Sequence, residues 1–310
     1  MRTELTDTTS SKINRALLEA RRAIGSPTLG LVLTLVVATD EENAYDAVRA
    51  ASEAAHEHPC RIIAVIKRTS RGPHKLRATR LDAELRVGSD AGSGEVVMLR
   101  LHGALTDHAG SVVLPLLLPD APVVAWWPAE APADVAADSV GALAQRRITD
   151  SQAAADPVGV LDVRAAAYTP GDTDLAWTRL TPWRALLAAA LDQKALPVTG
   201  ATVESEADNP SSELLARWLE DKLGVPVDRV TSEGPVITGV SLRTTGGEIR
   251  VDRPGGALAT LMLPGSPDRT VALKVRGGAE LIAEELRHLD ADEVYGSALR
   301  RRPLQAALSA

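Results

Sequence analysis

The sequence predicts an α/β protein: an N-terminal, mostly parallel but mixed sheet flanked by helices, followed by a smaller α+β domain. Three observations carry this. Residues 28–39, TLGLVLTLVVAT, and residues 61–67, RIIAVIK, are apolar, β-branched runs of strand length, as strands buried on both faces require. Between them Ala44, Tyr45, Val48 and Ala55 line one helical face that ends near Pro59, which makes a βαβ unit with a right-handed crossover. After Pro197 the pattern changes to short strands and turns with helices at the end, the order expected of an α+β domain.

Composition sets the limits. A chain of 310 residues, 45% hydrophobic and 24% charged, suits about two soluble domains, placed at 1–195 and 196–310. With no Phe, five Trp and three Tyr, the core must be built from Ala, Val, Leu and Ile, so each Trp marks a costly position. The net charge of −7 argues against nucleic-acid binding through the general surface. The first twelve residues lack the apolar stretch of a signal peptide, so a cytoplasmic location is expected. Cys60 is alone, which rules out an intrachain disulfide and reads as a small core residue.

The elements follow in order. Ile13, Leu17, Ala20 and Ile24 recur at helical spacing, with hydroxyls at Thr9, Ser10 and Ser11 for capping and Gly25 as a stop. Asp40 is a candidate N-cap for the helix after the first strand. Leu81, Ala83, Leu85 and Val87 alternate with Asp82, Glu84 and Arg86, a strand solvated on one face. Residues 95–102 form another strand after the glycine-rich turn 88–94. The most apolar run, residues 111–128, is cut by Pro115, Pro119, Asp120 and Pro122 into pieces too short to span a bilayer, which needs about 20 apolar residues. It reads as a short helix, a turn and a buried strand from Val123 to Trp127. Residues 129–165 read as loop and irregular chain, apart from a strand near 146–148. Thr181 and Pro182 open a helix bearing Trp183, Leu186, Leu187 and Ala190, which is expected to close the first domain. A strand at 198–204, a helix at 210–223 stopped by Gly224, a Gly246-Gly247 hairpin and helices at 279–289 and 292–301 complete the chain.

Four stretches could carry chemistry. Lys67, Arg68, Arg71, Lys75, Arg77 and Arg80 form a basic segment with no acid among them; such a run is a solvated loop or a docking site for an acidic face or a phosphate. His56, His58 and Cys60 in HEHPC suggest zinc, but positions i and i+2 do not share a helical face and Pro59 breaks the repeat, so no metal is expected. The glycines at 88, 92 and 94 precede a strand rather than a helix and match no phosphate-loop pattern, and no G-x-S-x-G elbow occurs. Residues 171–184, GDTDLAWTRLTPWR, concentrate Asp172, Asp174, Trp177, Arg179, Trp183 and Arg184. They read first as a capped and paired structural loop, second as a partner interface rich in the residue types of hot spots, and third as an acid/base pair. Trp126 and Trp127 read first as a sheet core with both rings packed inside, each indole N–H finding an acceptor, and second as partner-contact candidates, with Trp127 turned outward to the partner.

The segments EHPCRII at 57–63, LRVGSDAGSGEVV at 85–97, VVLPLLLPDAPVVAWWP at 112–128, RRITDS at 146–151 and GDTDLAWTRLTPWR at 171–184 resemble the glucose-6-phosphate dehydrogenase assembly proteins (OpcA family). The resemblance covers most of residues 1–195. It implies a non-catalytic protein without cofactors that binds, assembles and allosterically activates the dehydrogenase that opens the oxidative pentose phosphate pathway and makes NADPH. Redox control, associated with photosynthetic members, needs cysteines, and this chain has only Cys60. The alternative from fold class and the basic segment is an α/β enzyme or a binding protein for a phosphorylated sugar or nucleotide.

Overall fold

A computed structural model describes residues 1–24, 30–68, 79–88, 94–194 and 196–301. In chain order the elements are β1 (Arg2–Leu5), α1 (Ser10–Ile24), β2 (Leu33–Thr39), α2 (Ala44–Ala54), β3 (Cys60–Arg68), β4 (Arg80–Val87), β5 (Glu95–His102), α3 (Ala109–Val113), β6 (Val123–Trp126), β7 (Arg146–Thr149), α4 (Gly159–Ala167), β8 (Asp172–Asp174), α5 (Leu175–Thr178), α6 (Thr181–Gln193), β9 (Val198–Ser205), α7 (Pro210–Leu223), β10 (Val227–Thr231), β11 (Ile237–Thr244), β12 (Gly247–Asp252), β13 (Leu258–Met262), β14 (Arg269–Ala272), α8 (Gly278–Arg287) and α9 (Glu293–Arg300). They form two compact units: Met1–Asp150 with Gly171–Thr173 and Gly278–Ala291, and Ser151–Pro170 with Asp174–Gly277 and the chain from Asp292. The expected cut between residues 195 and 196 is corrected. It falls between α6 and β9, which both lie in the second unit, so α6 does not close the first domain.

The first unit is built on a sheet of order β1-β4-β5-β3-β2-β6-β7-β8. Pairings among β5, β3, β2, β6 and β7 are parallel, whereas β4 runs antiparallel to β5 and β1 antiparallel to β4. This is the mixed, mostly parallel sheet expected. Leu35, Val36, Val37, Ile62, Ile63 and Val97 are fully covered, as their uninterrupted apolar runs require. The N-terminal strand β1 was not anticipated, because four residues with two charges carry no strand signal. It explains why Glu84 is buried rather than solvated: the β1 residue Arg2 pairs with it at 3.1 Å, beside Arg86 at 2.8 Å. Asp40 does not cap α2: it lies three residues before the N-cap, Asn43, and its Oδ1 accepts from the Asn43 backbone N–H at 2.8 Å.

Buried charge locks these layers. Glu95 accepts from Arg61 Nε at 3.0 Å and from Arg21 Nη2 at 2.7 Å, while Arg61 Nη1 donates to the Leu116 carbonyl at 2.5 Å. One carboxylate thus ties α1, β3 and β5 to the turn after α3. The helix α8 joins this unit from the far end of the chain. It packs on α2, and Arg146 donates to Glu285 at 2.5 Å and to the Asp290 carbonyl at 2.6 Å. The expectation that both last helices belong to the C-terminal domain is therefore corrected for α8.

The second unit carries a sheet of order β10-β9-β11-β12-β13-β14, parallel at β9–β10 and antiparallel elsewhere. The helix α7 follows its sequence signals closely. The Asn209 side chain accepts from Ser212 N at 3.0 Å, Pro210 opens the first turn, and Gly224 takes a left-handed φ of 66° at the stop. The β11–β12 hairpin turns at Thr244 opposite Gly247, whose φ of 127° requires glycine. The helix α4 was read as irregular chain, and its start explains why: the N-cap is Val158 without a side-chain bond, and the Asp156 carboxylate accepts from Gly159 N instead. Arg217 joins three helices, donating to Glu213 at 2.8 Å, to Asp162 of α4 at 2.9 Å and to the Leu299 carbonyl of α9 at 3.0 Å.

Burial by itself raises the Glu95 pKa, but the bonds and charges of Arg21 and Arg61 outweigh it and leave the carboxyl below its ordinary value. Breaking one side of a buried pair leaves the other uncompensated, at about 3–5 kcal/mol. Glu95→Gln is expected to lose stability of that order in urea unfolding at pH 7. A depressed folded pKa stabilises above the unfolded value of about 4.3 and is lost as pH falls through the folded one, so the gap between variant and wild type should shrink below about pH 4. A gap independent of pH would show that the charge on Glu95 is not what holds these layers.

Candidate functional site

Residues 171–184 are structural to a degree their composition only suggested. In the first unit, Asp172 accepts from buried Arg147 Nε at 2.5 Å, and Arg147 Nη1 donates to the Ala144 carbonyl at 2.7 Å. In the second unit, Asp174 is fully buried; it caps α5 by accepting from Ala176 N at 2.8 Å and takes the Ser151 hydroxyl at 2.7 Å. The two carboxylates therefore have separate structural partners. Trp177 Nε1 donates to Asp292 at 2.8 Å, and the other oxygen of Asp292 caps α9 through Tyr295 N at 2.9 Å. The Arg184 guanidinium lies 3.8 Å from the Trp177 ring centroid, a cation–π stack. Trp183 packs in the core of this unit, with Arg253 5.0 Å over its ring.

Trp126 and Trp127 are both inside the first unit. Trp127 does not turn outward: only 2% of it is exposed, it packs with Val135 and Val140, and Gly141 lies so close that a Cβ there would sit 3.2 Å from the ring. Trp126 Nε1 is buried without a hydrogen bond among the described residues, contrary to the expectation that each indole finds an acceptor.

Of the basic segment, Arg71, Lys75 and Arg77 lie outside the described residues. Lys67, Arg68 and Arg80 each face an acid from elsewhere in the chain or its own strand: Asp138 at 3.8 Å, Glu41 at 2.9 Å and Asp82 at 2.8 Å. Partly exposed pairs of this kind contribute little stability, about 0–1 kcal/mol each. In HEHPC, His56 Nδ1 meets the Glu53 carbonyl at 3.1 Å, and burial pushes the Cys60 thiol up to about 12. That makes Cys60 an inert core residue. Among the described residues no group of three metal-ligating side chains converges, and no helix is long and apolar enough to cross a membrane.

Sequence reasoning missed a cavity in the second unit. It has a volume of about 180 Å³ and lies at the start of α7, where Ser211 joins Arg179, Arg253, Lys274 and Arg276, with Glu206 as the lone acid. Trp183 and Ile237 supply apolar wall. Ser211 is 4% exposed and its hydroxyl makes no hydrogen bond with any described residue. Arg253 is 3% exposed and donates to the carbonyls of Ile237 and Leu273. Burial lowers its pKa from the ordinary arginine value, since no carboxylate among the described residues pairs with it. These cations come from positions spread over a hundred residues, so no local motif announced them.

Comparison with known proteins places the chain. Residues 51–166 match the family described as the glucose-6-phosphate dehydrogenase subunit N-terminal domain, and residues 170–299 match its C-terminal domain. The chain belongs to the glucose-6-phosphate dehydrogenase assembly protein family. No curated protein matches it. Among solved structures, an oxidoreductase from Sinorhizobium meliloti is 11% identical, with 86% of each chain covered and a TM-score of 0.44. An oxidoreductase domain protein from Kribbella flavida is 10% identical over 88% of this chain and 92% of that one, with a TM-score of 0.40. At these values no function passes from those proteins to this member of the assembly family.

The two adjacent tryptophans of this family member separate by experiment. Trp126→Phe removes a buried donor without a partner while keeping most of the ring, so its stability should stay within about 1 kcal/mol of wild type or rise. Trp127→Ala opens a cavity in the core and should cost about 3–5 kcal/mol. Urea unfolding of both variants checks this, and a loss above about 2 kcal/mol in Trp126→Phe would mean its N–H is bonded after all.

Proposed function

We propose that this chain is a non-catalytic assembly factor and allosteric activator of glucose-6-phosphate dehydrogenase, acting in the cytoplasm to promote NADPH production by the oxidative pentose phosphate pathway. The observation that carries the reading is the match of both domains of one assembly family, in order, along a single chain. An effector shifts an equilibrium only by its differential affinity for two states. The chain therefore binds the active form of the dehydrogenase oligomer more tightly than the inactive form, and raises its apparent affinity for glucose 6-phosphate or its turnover.

The contact surface of this reading is the basic segment that includes Lys67, Arg68 and Arg80, with Arg71, Lys75 and Arg77 between them. The half-exposed ion pairs of Arg68 with Glu41 and of Lys67 with Asp138 support it, because an acidic partner face can replace the internal acids at little cost. The tryptophans at 126, 127, 177 and 183, together with Asp172 and Asp174, hold the scaffold in this reading, while Arg179 and Arg184 are half-buried at its surface.

Dehydrogenase assays with and without the purified chain, paired with gel filtration of the mixture, test the proposal. A lower KM or higher kcat with co-elution is the expected outcome, and the complex should weaken steeply between 50 mM and 500 mM salt, where charge contacts are screened. Unchanged kinetics and separate elution would overturn the reading.

A further inference from the structure

We propose that the cavity at the start of α7 binds the phosphate head of a small phosphomonoester, with the organic body against Trp183 and Ile237. Four independent features converge there. The N-terminus of a 14-residue helix presents N–H groups, that of Ser211 among them, which no carbonyl of the helix can accept, and its dipole favours an anion. The Ser211 hydroxyl lines the cavity, is buried, and lacks a hydrogen-bond partner among the described residues; such a group costs stability until something bonds it. Arg253 is a buried guanidinium whose bonds go to backbone carbonyls alone, so its charge is solvated but not neutralised. Lys274, Arg179 and Arg276 add positive charge at the same cavity against the single carboxylate of Glu206.

The chemistry selects the class of ligand. An excess of cations over one acid suits a dianion better than a carboxylate, and arginine forks match phosphate oxygens. Glu206 is held on the Asn209 side-chain amide at 3.0 Å, which ties it to the residue that caps α7. The volume of about 180 Å³ is below the roughly 300 Å³ at which pockets enclose a drug-sized molecule. It holds a phosphate head and part of a small body, with the remainder reaching past exposed Lys274 and Val275. Val236, also on the wall, has a φ of 55°, a conformation that a β-branched residue adopts only when its surroundings impose it.

The inference rests on this chain alone and stands or falls apart from dehydrogenase activation. Titration calorimetry on the isolated full-length protein tests it with three probes: glucose 6-phosphate as a representative phosphomonoester, inorganic phosphate as the head, and glucose as the body. Saturable one-to-one binding of glucose 6-phosphate, competition by inorganic phosphate and no binding of glucose are expected. Ser211→Ala should weaken binding about tenfold, the worth of one hydrogen bond to a charged group, without lowering the melting temperature of the free protein, since the lost hydroxyl has no partner. Lys274→Gln, at an exposed position, should weaken it similarly and flatten the salt dependence. Absence of saturable binding by either phosphate compound, glucose binding as well as its phosphate ester, or affinities unchanged in both variants would overturn the proposal.

Discussion

The ion pair between Arg146 and Glu285 sets the division of this chain. It joins β7 to a helix 139 residues later, and with the Asp290 carbonyl it makes α8 part of the first unit. A guanidinium buried at this depth has five donors to satisfy, and leaving them unmet costs more than the pair gains. The helix that carries Glu285 is therefore held by necessity as much as by apolar packing. The same logic recurs at Arg61 with Glu95, Arg147 with Asp172 and Arg217 with Glu213. A chain without phenylalanine has few large side chains for its interior, and arginine, whose stem packs while its head bonds, takes several of the places where layers meet.

Arg253 departs from that pattern. Arg61, Arg146, Arg147 and Arg217 each meet a carboxylate, whereas Arg253 meets carbonyls, an indole face and a cavity. Its charge is solvated by carbonyls without a carboxylate beside it, which is the charge that an anion in the proposed site would neutralise. An assembly partner that also carries an anion site can couple the two: a ligand that favours one conformation of this chain changes its affinity for the dehydrogenase by the same factor as the dehydrogenase changes the affinity for the ligand.

Residues 171–184 have the capped and paired contacts that read first from their sequence. Paired aspartates, arginines and tryptophans within fourteen residues look like a site, yet their partners turn them inward: Asp172 to Arg147, Asp174 to the start of α5, Trp177 to Asp292. The cavity beside Trp183 is not legible in the sequence, because Ser211, Arg253 and Lys274 are each unremarkable in their local context and Arg179 stands out only as a member of residues 171–184.

What the sequence determined by itself is local and periodic. Continuous apolar runs specified β2, β3 and β5, and Asn209, Pro210 and Gly224 specified both ends of α7, because strand burial and helix capping are short-range effects written in neighbouring residues. The family was legible for the same reason, as motifs in fixed order. Only the tertiary structure decided that β1 adds a strand, that α4 forms without a capping side chain, that α8 returns to the first unit, and that cations from three distant stretches share one cavity. Each of these depends on a contact between residues far apart in the chain, where the free energy belongs to the pair and leaves no mark on either neighbourhood.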